Sequence, residues 1–163
     1  MSQRPHLSNA PILEAILDIK AALPAGTRLE RLATMHGAIS DRYPKRRTRK
    51  RIEGVLDIKS EGDVRLTRSA PTEDGYMFHS QDGKRIVQAR LDGFTFNQLK
   101  PYETWEKLRD EAKEHWALYL DIARPESVNR IALRFINRME LPLPFDDFKD
   151  FFNTTSRAEA LFQ

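Results

Sequence analysis

The chain has 163 residues, of which 40% are hydrophobic and 31% charged, a composition typical of a soluble globular domain with a real core. It contains no cysteine, which excludes disulfides, thiolate zinc sites and cysteine nucleophiles from these residues. No apolar run approaches the roughly 20 residues of a membrane span, and the first residues lack the apolar segment of a secretory signal. We therefore expect a cytoplasmic protein without membrane contact.

Positive charge is concentrated in one segment of the chain. The formal net charge is +3, and residues 45–51 (KRRTRKR) carry six positive charges and no negative one. The rest of the chain is therefore slightly acidic, with a net charge of −3. The sequence indicates a single basic segment on a near-neutral body.

The first half of the chain predicts a strand, a helix and then several strands. Apolar and charged residues alternate over 11–23, which is typical of a half-buried strand, and an apolar stripe with helical spacing predicts a helix over 28–42. The basic segment is expected to be a solvated loop. Alternation and turn residues then predict a meander of three to five antiparallel strands within the ranges 51–60, 64–70, 76–80, 84–92 and 94–99. The turn residues are a turn at 61–63, Asp74-Gly75 before the strand at 76–80, and a hairpin at Asp82-Gly83.

The second half begins with the longest predicted helix, over 101–124, which Pro125 ends. A strand over 128–140 and a short helix over 145–152 follow. The predicted fold class is α+β: a mainly antiparallel sheet with two helices on one face, in the order strand, helix, three to five strands, helix, strand, plus a short C-terminal helix.

The last eight residues are treated separately. The segment at 156–163 ends in ALFQ, the upstream half of a rhinovirus-type 3C protease site. We interpret it as the remnant of a cleaved tag; the alternative is a natural helical tail. Residues 1–155 are then one α+β domain, the N-terminal part of a longer protein.

Several segments together resemble a known family. They are NAPILEAILDIK (9–20), the Tyr-Pro pair at 43–44, GYMFHSQDGKRIVQ (75–88), FTFNQLKPYETWEKL (94–108), HWALYL (115–120) and RIALRFINRMELP (130–142). This order resembles a sporadically distributed bacterial family of uncharacterised proteins with aPIxEAlxdI, pYxxWe and RlglRyiNRi segments. The resemblance covers roughly residues 8–150. It implies little about activity, and it implies that the natural chain continues beyond about residue 155. The basic run at 45–51 departs from the mixed polar loop expected there.

Three arginines are the first candidate site. Arg130, Arg134 and Arg138 recur every fourth residue, so in a strand they share one face at intervals of about 13 Å. Such a row suits phosphates or carboxylates, because guanidinium binds both in a bidentate manner. The opposite face is expected to be the core face, formed by Ile131, Leu133, Phe135, Met139 and the polar Asn137.

An alternative use for the arginines is an ion-pair ladder. Acidic residues also lie four apart on the predicted outward faces of two other strands, namely Glu14 with Asp18 and Glu53 with Asp57. Placed beside the arginines, they would neutralise them across the strands, each pair contributing about 0.2–1 kcal/mol. Both uses remain open, since acids can also orient arginines that bind a ligand.

The basic segment is the second candidate site. Its cations can neutralise several phosphates and give salt-sensitive binding to nucleic acid without sequence preference. The nucleic-acid candidates are Lys45, Arg46, Arg47, Arg49, Lys50 and Arg51. A solvated loop without a ligand is the alternative.

No catalytic or metal-binding motif is recognisable. Glu111 and His115 lie one helical turn apart, but no third metal ligand is evident, and we predict neither a metal nor another cofactor. We therefore predict a non-catalytic binding or interaction domain for anionic partners, with a protein partner or a homo-oligomer as its assembly. The alternatives are a nucleic-acid-binding domain and an enzyme domain that acts on a phosphorylated or nucleotide-like substrate.

Overall fold

Six strands form one antiparallel sheet in a computed structural model that describes residues 10–52, 54–58, 64–144, 147 and 151. Within 54–58 and 64–68 it describes the backbone alone. The strands are β1 (Ile12–Ala22), β2 (Lys45–Arg51), β3 (Gly54–Ile58), β4 (Val64–Arg68), β5 (Thr72–His79), β6 (Arg85–Arg90), β7 (Gly93–Leu99) and β8 (Ser127–Asn137). The helices are α1 (Leu29–Ala33), α2 (Met35–Ile39) and α3 (Trp105–Ala123).

The main sheet has the order β2-β5-β6-β7-β1-β8, with antiparallel pairing at every step. A separate two-stranded sheet contains β3 and β4. The predicted α+β class with an antiparallel sheet is therefore confirmed.

One face of the main sheet carries the core. Side chains alternate along a strand, so every second residue of β1, β5, β6 and β7 contributes to that face. They pack with Leu32, Met35 and Ile39 of α1 and α2 and with apolar residues of α3. The buried sheet residues of this cluster are Ala15, Ile19, Phe78, Val87, Ala89, Phe94 and Phe96. All three helices therefore cover the same face.

The predicted first helix is two short helices. α1 and α2 meet at Thr34, whose hydroxyl donates a hydrogen bond of 2.7 Å to the carbonyl oxygen of Arg31. A threonine hydroxyl that binds the preceding turn competes with the regular helical pattern. The long helix α3 starts at Trp105, four residues later than predicted, because Thr104 caps it by accepting a hydrogen bond of 3.3 Å from the Lys107 amide. None of the helices in the described ranges combines the length and apolar character needed to cross a membrane.

The basic segment is a strand and not the predicted loop. β2 is an edge strand of the main sheet and pairs with β5 from Lys45 opposite His79 to Arg51 opposite Thr72, with a bulge between Arg49 and Lys50. An edge strand needs only backbone hydrogen bonds to one neighbour, and charged residues are common there because they discourage aggregation. Because the segment has no apolar residue, it lacks the alternation of apolar and polar residues from which a strand is predicted.

β5 is longer than predicted. It begins at Thr72, so that Asp74 and Gly75, expected to precede the strand, lie inside it. The predicted hairpin at Asp82-Gly83 is confirmed: Gly83 has a φ of 72° and its amide donates to the carbonyl of Ser80 at 2.9 Å. The predicted turn at 61–63 lies outside the described residues. So does the predicted C-terminal helix over 145–152, apart from residues 147 and 151, and the segment at 156–163.

β8 lies at the other edge of the sheet, and its expected core face is largely exposed. Ile131 is 69% exposed, Leu133 44% and Phe135 37%, and Met139 beyond the strand is 50% exposed. Asn137, expected in the core, is also exposed. The apolar residues do face the helix side of the sheet, but the prediction that they are buried is wrong because, among the strands that the structure describes, β8 has a neighbour on one side alone, β1.

Gly93 begins β7 where only glycine fits. Its φ is 141°, and a Cβ atom there would lie 2.0 Å from the carbonyl oxygen of Ile19. We expect Gly93→Ala to lower the free energy of unfolding by about 2 kcal/mol or more, measured by urea denaturation. Gly37→Ala is the control, since nothing lies within 4 Å of a Cβ atom there; alanine in that helix is expected to stabilise by about 0.5–1 kcal/mol. Equal effects of the two substitutions would contradict the account.

Candidate anion-binding face

The two basic segments singled out in the sequence lie at opposite edges of one sheet. β2 carries Lys45, Arg47 and Arg49 and β8 carries Arg130 and Arg134, and the strand register places all five on the sheet face opposite the helices. We call this surface, from Lys45, Arg47 and Arg49 to Arg130 and Arg134, the open face. Five strand spacings of about 4.8 Å put its two edges about 24 Å apart.

A polar floor lies between the two edges. A shallow cleft of about 320 Å³ is lined from both sides, by Arg49 of β2 and by Arg130 and Arg134 of β8. The central polar residues of this cleft are Asp18, Lys20, Gln88, Arg90, Thr95 and Asn97. We call these six residues and Asp92, which contacts Lys20 and Arg90, the floor. A larger cleft of about 660 Å³ lies at the end of the sheet near Arg138. We regard the smaller one as the candidate site because charged residues from four strands converge there.

Arg90 is the buried centre of the floor, with a side chain that is 8% exposed. Its Nη2 lies 2.9 Å from Asp18 Oδ1, and its Nε lies 3.1 Å from Asp92 Oδ1. The second contact lacks hydrogen-bond alignment, so it is a charge contact only. The Tyr119 hydroxyl donates a bond of 2.9 Å to the Arg90 carbonyl from the helix side. The floor is thus tied to the core.

Gly75 provides the space that Arg90 occupies. The two residues are opposite each other on β5 and β6. A Cβ atom on residue 75 would lie 2.5 Å from the Ala89 carbonyl oxygen and 3.2 Å from Cγ of Arg90. The absence of a side chain at this position therefore lets the Arg90 side chain lie across the sheet.

Asp18 joins the floor to β8. Its Oδ2 accepts a hydrogen bond of 2.8 Å from Arg130 and its Oδ1 accepts one of 2.9 Å from Thr95. Burial alone would raise the pKa of Asp18, but the hydrogen bonds from Arg130 and Thr95 and the charge of Arg90 outweigh it and hold this pKa below its usual value. Asp18 is therefore ionised at neutral pH.

This shift predicts a pH dependence of stability. A carboxyl group whose pKa is lower in the folded state stabilises the protein above its unfolded pKa of about 3.9, and that stabilisation is lost as the pH falls through the folded value. We expect Asp18→Asn to reduce the difference in unfolding free energy between about pH 6 and about pH 3, measured by urea denaturation. Asp121→Asn, at an exposed position of α3, is the control. An unchanged pH dependence in Asp18→Asn would contradict the role given to Asp18.

The expected ladder of ion pairs is only partly present. The pairing of Asp18 with Arg130 is confirmed. Glu14 instead accepts a hydrogen bond of 2.7 Å from the side chain of Asn97. Asp57 lies on β3, which pairs with β4 and not with β8, so its predicted place beside the arginines is wrong. Glu53 lies outside the described residues.

Three cations of the open face are left without an acidic partner. Within the described ranges, Lys45, Arg47 and Arg134 form no ion pair, whereas Arg49 pairs with Asp74 and Lys20 pairs with Asp92. All three unpaired side chains are exposed. The positive charge available to a ligand therefore lies along the two edges of the face.

The other predicted site residues lie elsewhere. Arg46 points to the helix side, where its guanidinium carbon lies 5.5 Å from the centre of the Tyr76 ring. Lys50 and Arg51 follow the bulge in β2, and Arg51 lies 3.9 Å from Asp92. Arg138 lies beyond the end of β8 and pairs with Glu140, so it does not extend the row of Arg130 and Arg134.

His79 lies among the cations at the β2 edge. It is opposite Lys45 in the register, and its buried Nε2 has no hydrogen-bond partner in the described chain. Burial and then the positive charges of Arg47 and Lys45 lower the pKa of His79. A bound anion would reverse the last two effects, which makes this histidine a reporter of the site.

Glu111 and His115, noted in the sequence for their spacing, belong to a different cluster, on the helix side of the sheet. Glu111 accepts a hydrogen bond of 2.7 Å from the Tyr43 hydroxyl and lies 3.4 Å from Arg85, while His115 Nε2 is 3.9 Å away from it. The carboxylate is thus used to join α3 to its neighbours. No group of three acidic or histidine side chains suited to a metal occurs among the residues described.

Comparison of the chain with family models, curated proteins and solved structures gave no match. The assignment of a function therefore depends on the open face itself.

Sequence reasoning missed the floor of this face. Gln88 and Arg90 alternate with the buried Val87 and Ala89, so the period of two already assigned them to the outward face of β6. What the sequence did not show is the strand order, which brings β6 between the two basic edges.

Proposed function

We propose that this protein is a non-catalytic binding module that holds an anionic partner on the open face. The observation that carries the proposal is the presence, on one face of one sheet, of three exposed cations that pair with no acid in the described ranges, namely Lys45, Arg47 and Arg134. Guanidinium and ammonium groups in such positions suit phosphates and carboxylates. We also propose, from the segments quoted above, that the chain belongs to the sporadically distributed bacterial family.

The charge balance of the face supports binding at its edges. In the floor, Asp18 and Asp92 are matched by Arg90, Lys20 and Arg130. These groups hold one another in place, so they give the face a rigid base and little net charge. An anion is then attracted to the unpaired cations of β2 and β8.

A nucleic-acid-binding domain is the second candidate, and the form of β2 favours it. Because the basic segment is a strand, Lys45, Arg47 and Arg49 recur on the open face at intervals of about 6.6 Å. A regular row of cations suits a partner with regularly repeated charges, such as a phosphate backbone. Binding of this kind releases counterions and weakens steeply with salt.

Fluorescence anisotropy with three labelled polyanions tests both candidates. The probes are a DNA duplex, a single-stranded RNA and poly-glutamate, each titrated with the full chain at low and moderate salt. We expect binding at low salt that weakens as salt rises. Binding of the two nucleic acids alone would select the second candidate, whereas no binding of any probe at low salt would refute the proposal.

His79 gives an independent test of where the anion lies. We expect a bound polyanion to raise the pKa of His79, because it offsets the positive charges of Arg47 and Lys45. By linkage, the affinity should then increase as the pH falls through this pKa. The measurement is an NMR titration of the histidine ring protons with and without the oligonucleotide. His36, which stacks on Phe78 on the helix side, is the internal control; a shift of His36 alone would place the ligand elsewhere.

A further inference from the structure

β8 presents an unprotected edge. It is eleven residues long, pairs with β1 on one side, and pairs regularly with it from Ile136 to Arg130, between two irregularities. Edge strands are usually protected from further pairing by proline, lysine, bulges or short length. The other edge, β2, has six cations in seven residues, whereas the central part of β8, from Arg130 to Ile136, has no proline, lysine or bulge and only two cations, both on the open face.

The helix side of this edge is apolar and exposed. Ile131, Leu133 and Phe135 follow one another on that side, with exposures of 69%, 44% and 37%. The Phe135 ring makes an edge-on contact with the Tyr102 ring, with 5.4 Å between the ring centres, and 37% of the residue surface remains exposed. A row of apolar side chains beside free backbone groups is typical of a surface that pairs with another strand.

We propose that β8 pairs with β8 of a second copy of this chain, antiparallel and with Leu133 on the twofold axis. The proposal goes beyond anion binding and does not depend on it. The occupant is identified by the self-complementarity of the strand, since one register places apolar side chains opposite apolar side chains on the helix side and keeps the arginines apart on the open face.

With the axis at Leu133, like side chains meet on the helix side. Leu133 faces the partner's Leu133 and Ile131 faces the partner's Phe135, all within the regular part of β8 from Arg130 to Ile136. On the open face Arg134 faces the partner's Ala132 and Arg130 faces the partner's Ile136. Apolar and aromatic pairs of this kind stabilise antiparallel strands, and no arginine is opposite another arginine.

The neighbouring registers are unfavourable. An axis at Ala132 places Arg130 opposite the partner's Arg134, and an axis at Arg134 places that residue opposite itself; like charges directly opposite are destabilising. An axis between two residues exchanges the faces of the second copy, so that arginines would lie among the apolar side chains. Self-pairing at Leu133 avoids both problems.

The absence of cysteine from the chain makes the register directly testable. Directly opposite residues in an antiparallel pair have Cα atoms about 4.5–5.5 Å apart, which suits a disulfide. Residues one step from the axis lie about 8 Å from their own counterparts, beyond the roughly 7 Å limit. We therefore expect Leu133→Cys to form a cross-linked dimer under mild oxidation and Ala132→Cys and Arg134→Cys to remain uncross-linked. Cross-linking of either of the latter in preference to Leu133→Cys, or of none, would overturn the proposal.

The oligomeric state of the cysteine-free protein provides the second measurement. Sedimentation should show a dimer for the unmodified chain and a monomer for Leu133→Lys, which places two ammonium groups on the axis. Leu143→Lys is the control, since Leu143 is 82% exposed and lies outside β8. Circular dichroism verifies that both variants are folded. A monomeric unmodified chain, or a dimer that survives Leu133→Lys, would show that β8 does not pair in this way.

Discussion

Replacing Lys45, Arg47 and Arg134 together with glutamine should abolish most of the salt-dependent binding of polyanions. Among the described residues these three cations have no acidic partner, so their charge is available to a ligand. Each cation that neutralises a phosphate contributes about one unit to the slope of log affinity against log salt. We therefore expect the slope to decrease by about three units and the affinity at low salt to fall by about tenfold or more.

The matched control has the same change of net charge on the other side of the sheet. Arg28, Arg31 and Lys113 are exposed on or beside the helices that cover the opposite face. Their combined replacement with glutamine should leave the salt slope nearly unchanged. An equal loss of affinity in both triple variants would mean that the ligand responds to net charge alone, and it would contradict a site on the open face.

Replacing Arg90 with methionine should cause the largest loss of stability among the residues of the open face. Removing one partner of a buried ion pair leaves the other charge without compensation and costs about 3–5 kcal/mol. Asp18 retains Arg130 and Asp92 retains Lys20, so we expect a loss near the lower limit, about 3 kcal/mol. Urea denaturation of the unliganded protein measures it.

Arg134→Met is the control for this prediction, since it removes an exposed and unpaired arginine from the same face. Its effect should remain within about 0.5 kcal/mol. The affinity for the polyanion should show the opposite order and fall more in Arg134→Met than in Arg90→Met. Arg134 is available to the ligand, whereas Asp18 and Asp92 neutralise Arg90. A loss below about 1 kcal/mol for Arg90→Met would show that the floor is not held together by this residue.

Strands with an apolar face were the most predictable part of the fold. β1, β6 and β7 lie in the middle of the sheet, where each strand buries one side, so alternation of apolar and polar residues was strong. The same alternation placed Arg130 and Arg134 on the outward face correctly. One pair of the predicted ladder, Asp18 with Arg130, is present because β1 and β8 are neighbours.

The edges and the strand order were less predictable. β2 buries little and has no apolar residue, so its strand form depends on hydrogen bonds to β5, which the sequence does not encode locally. The row of arginines ended at Arg134 because β8 ends at Asn137, and Arg138 beyond it pairs with Glu140. The strand that carries Asp57, β3, was expected beside the arginines of β8 but belongs to another sheet. Non-local pairing decided each of these outcomes.

Both faces of β2 are polar, and this affects how exactly the strand must be aligned with β5. Strands that are polar on both sides have weakly specified register, because sliding by one residue exposes no apolar side chain. Here Arg46 against Tyr76 and Arg49 against Asp74 fix the alignment. If β2 slid by one position, Arg46, Thr48 and Lys50 would take the places of Lys45, Arg47 and Arg49, so that this edge of the open face would keep two of its three cations. The charge of this edge is therefore tolerant of errors in alignment that would destroy a site built on one particular side chain.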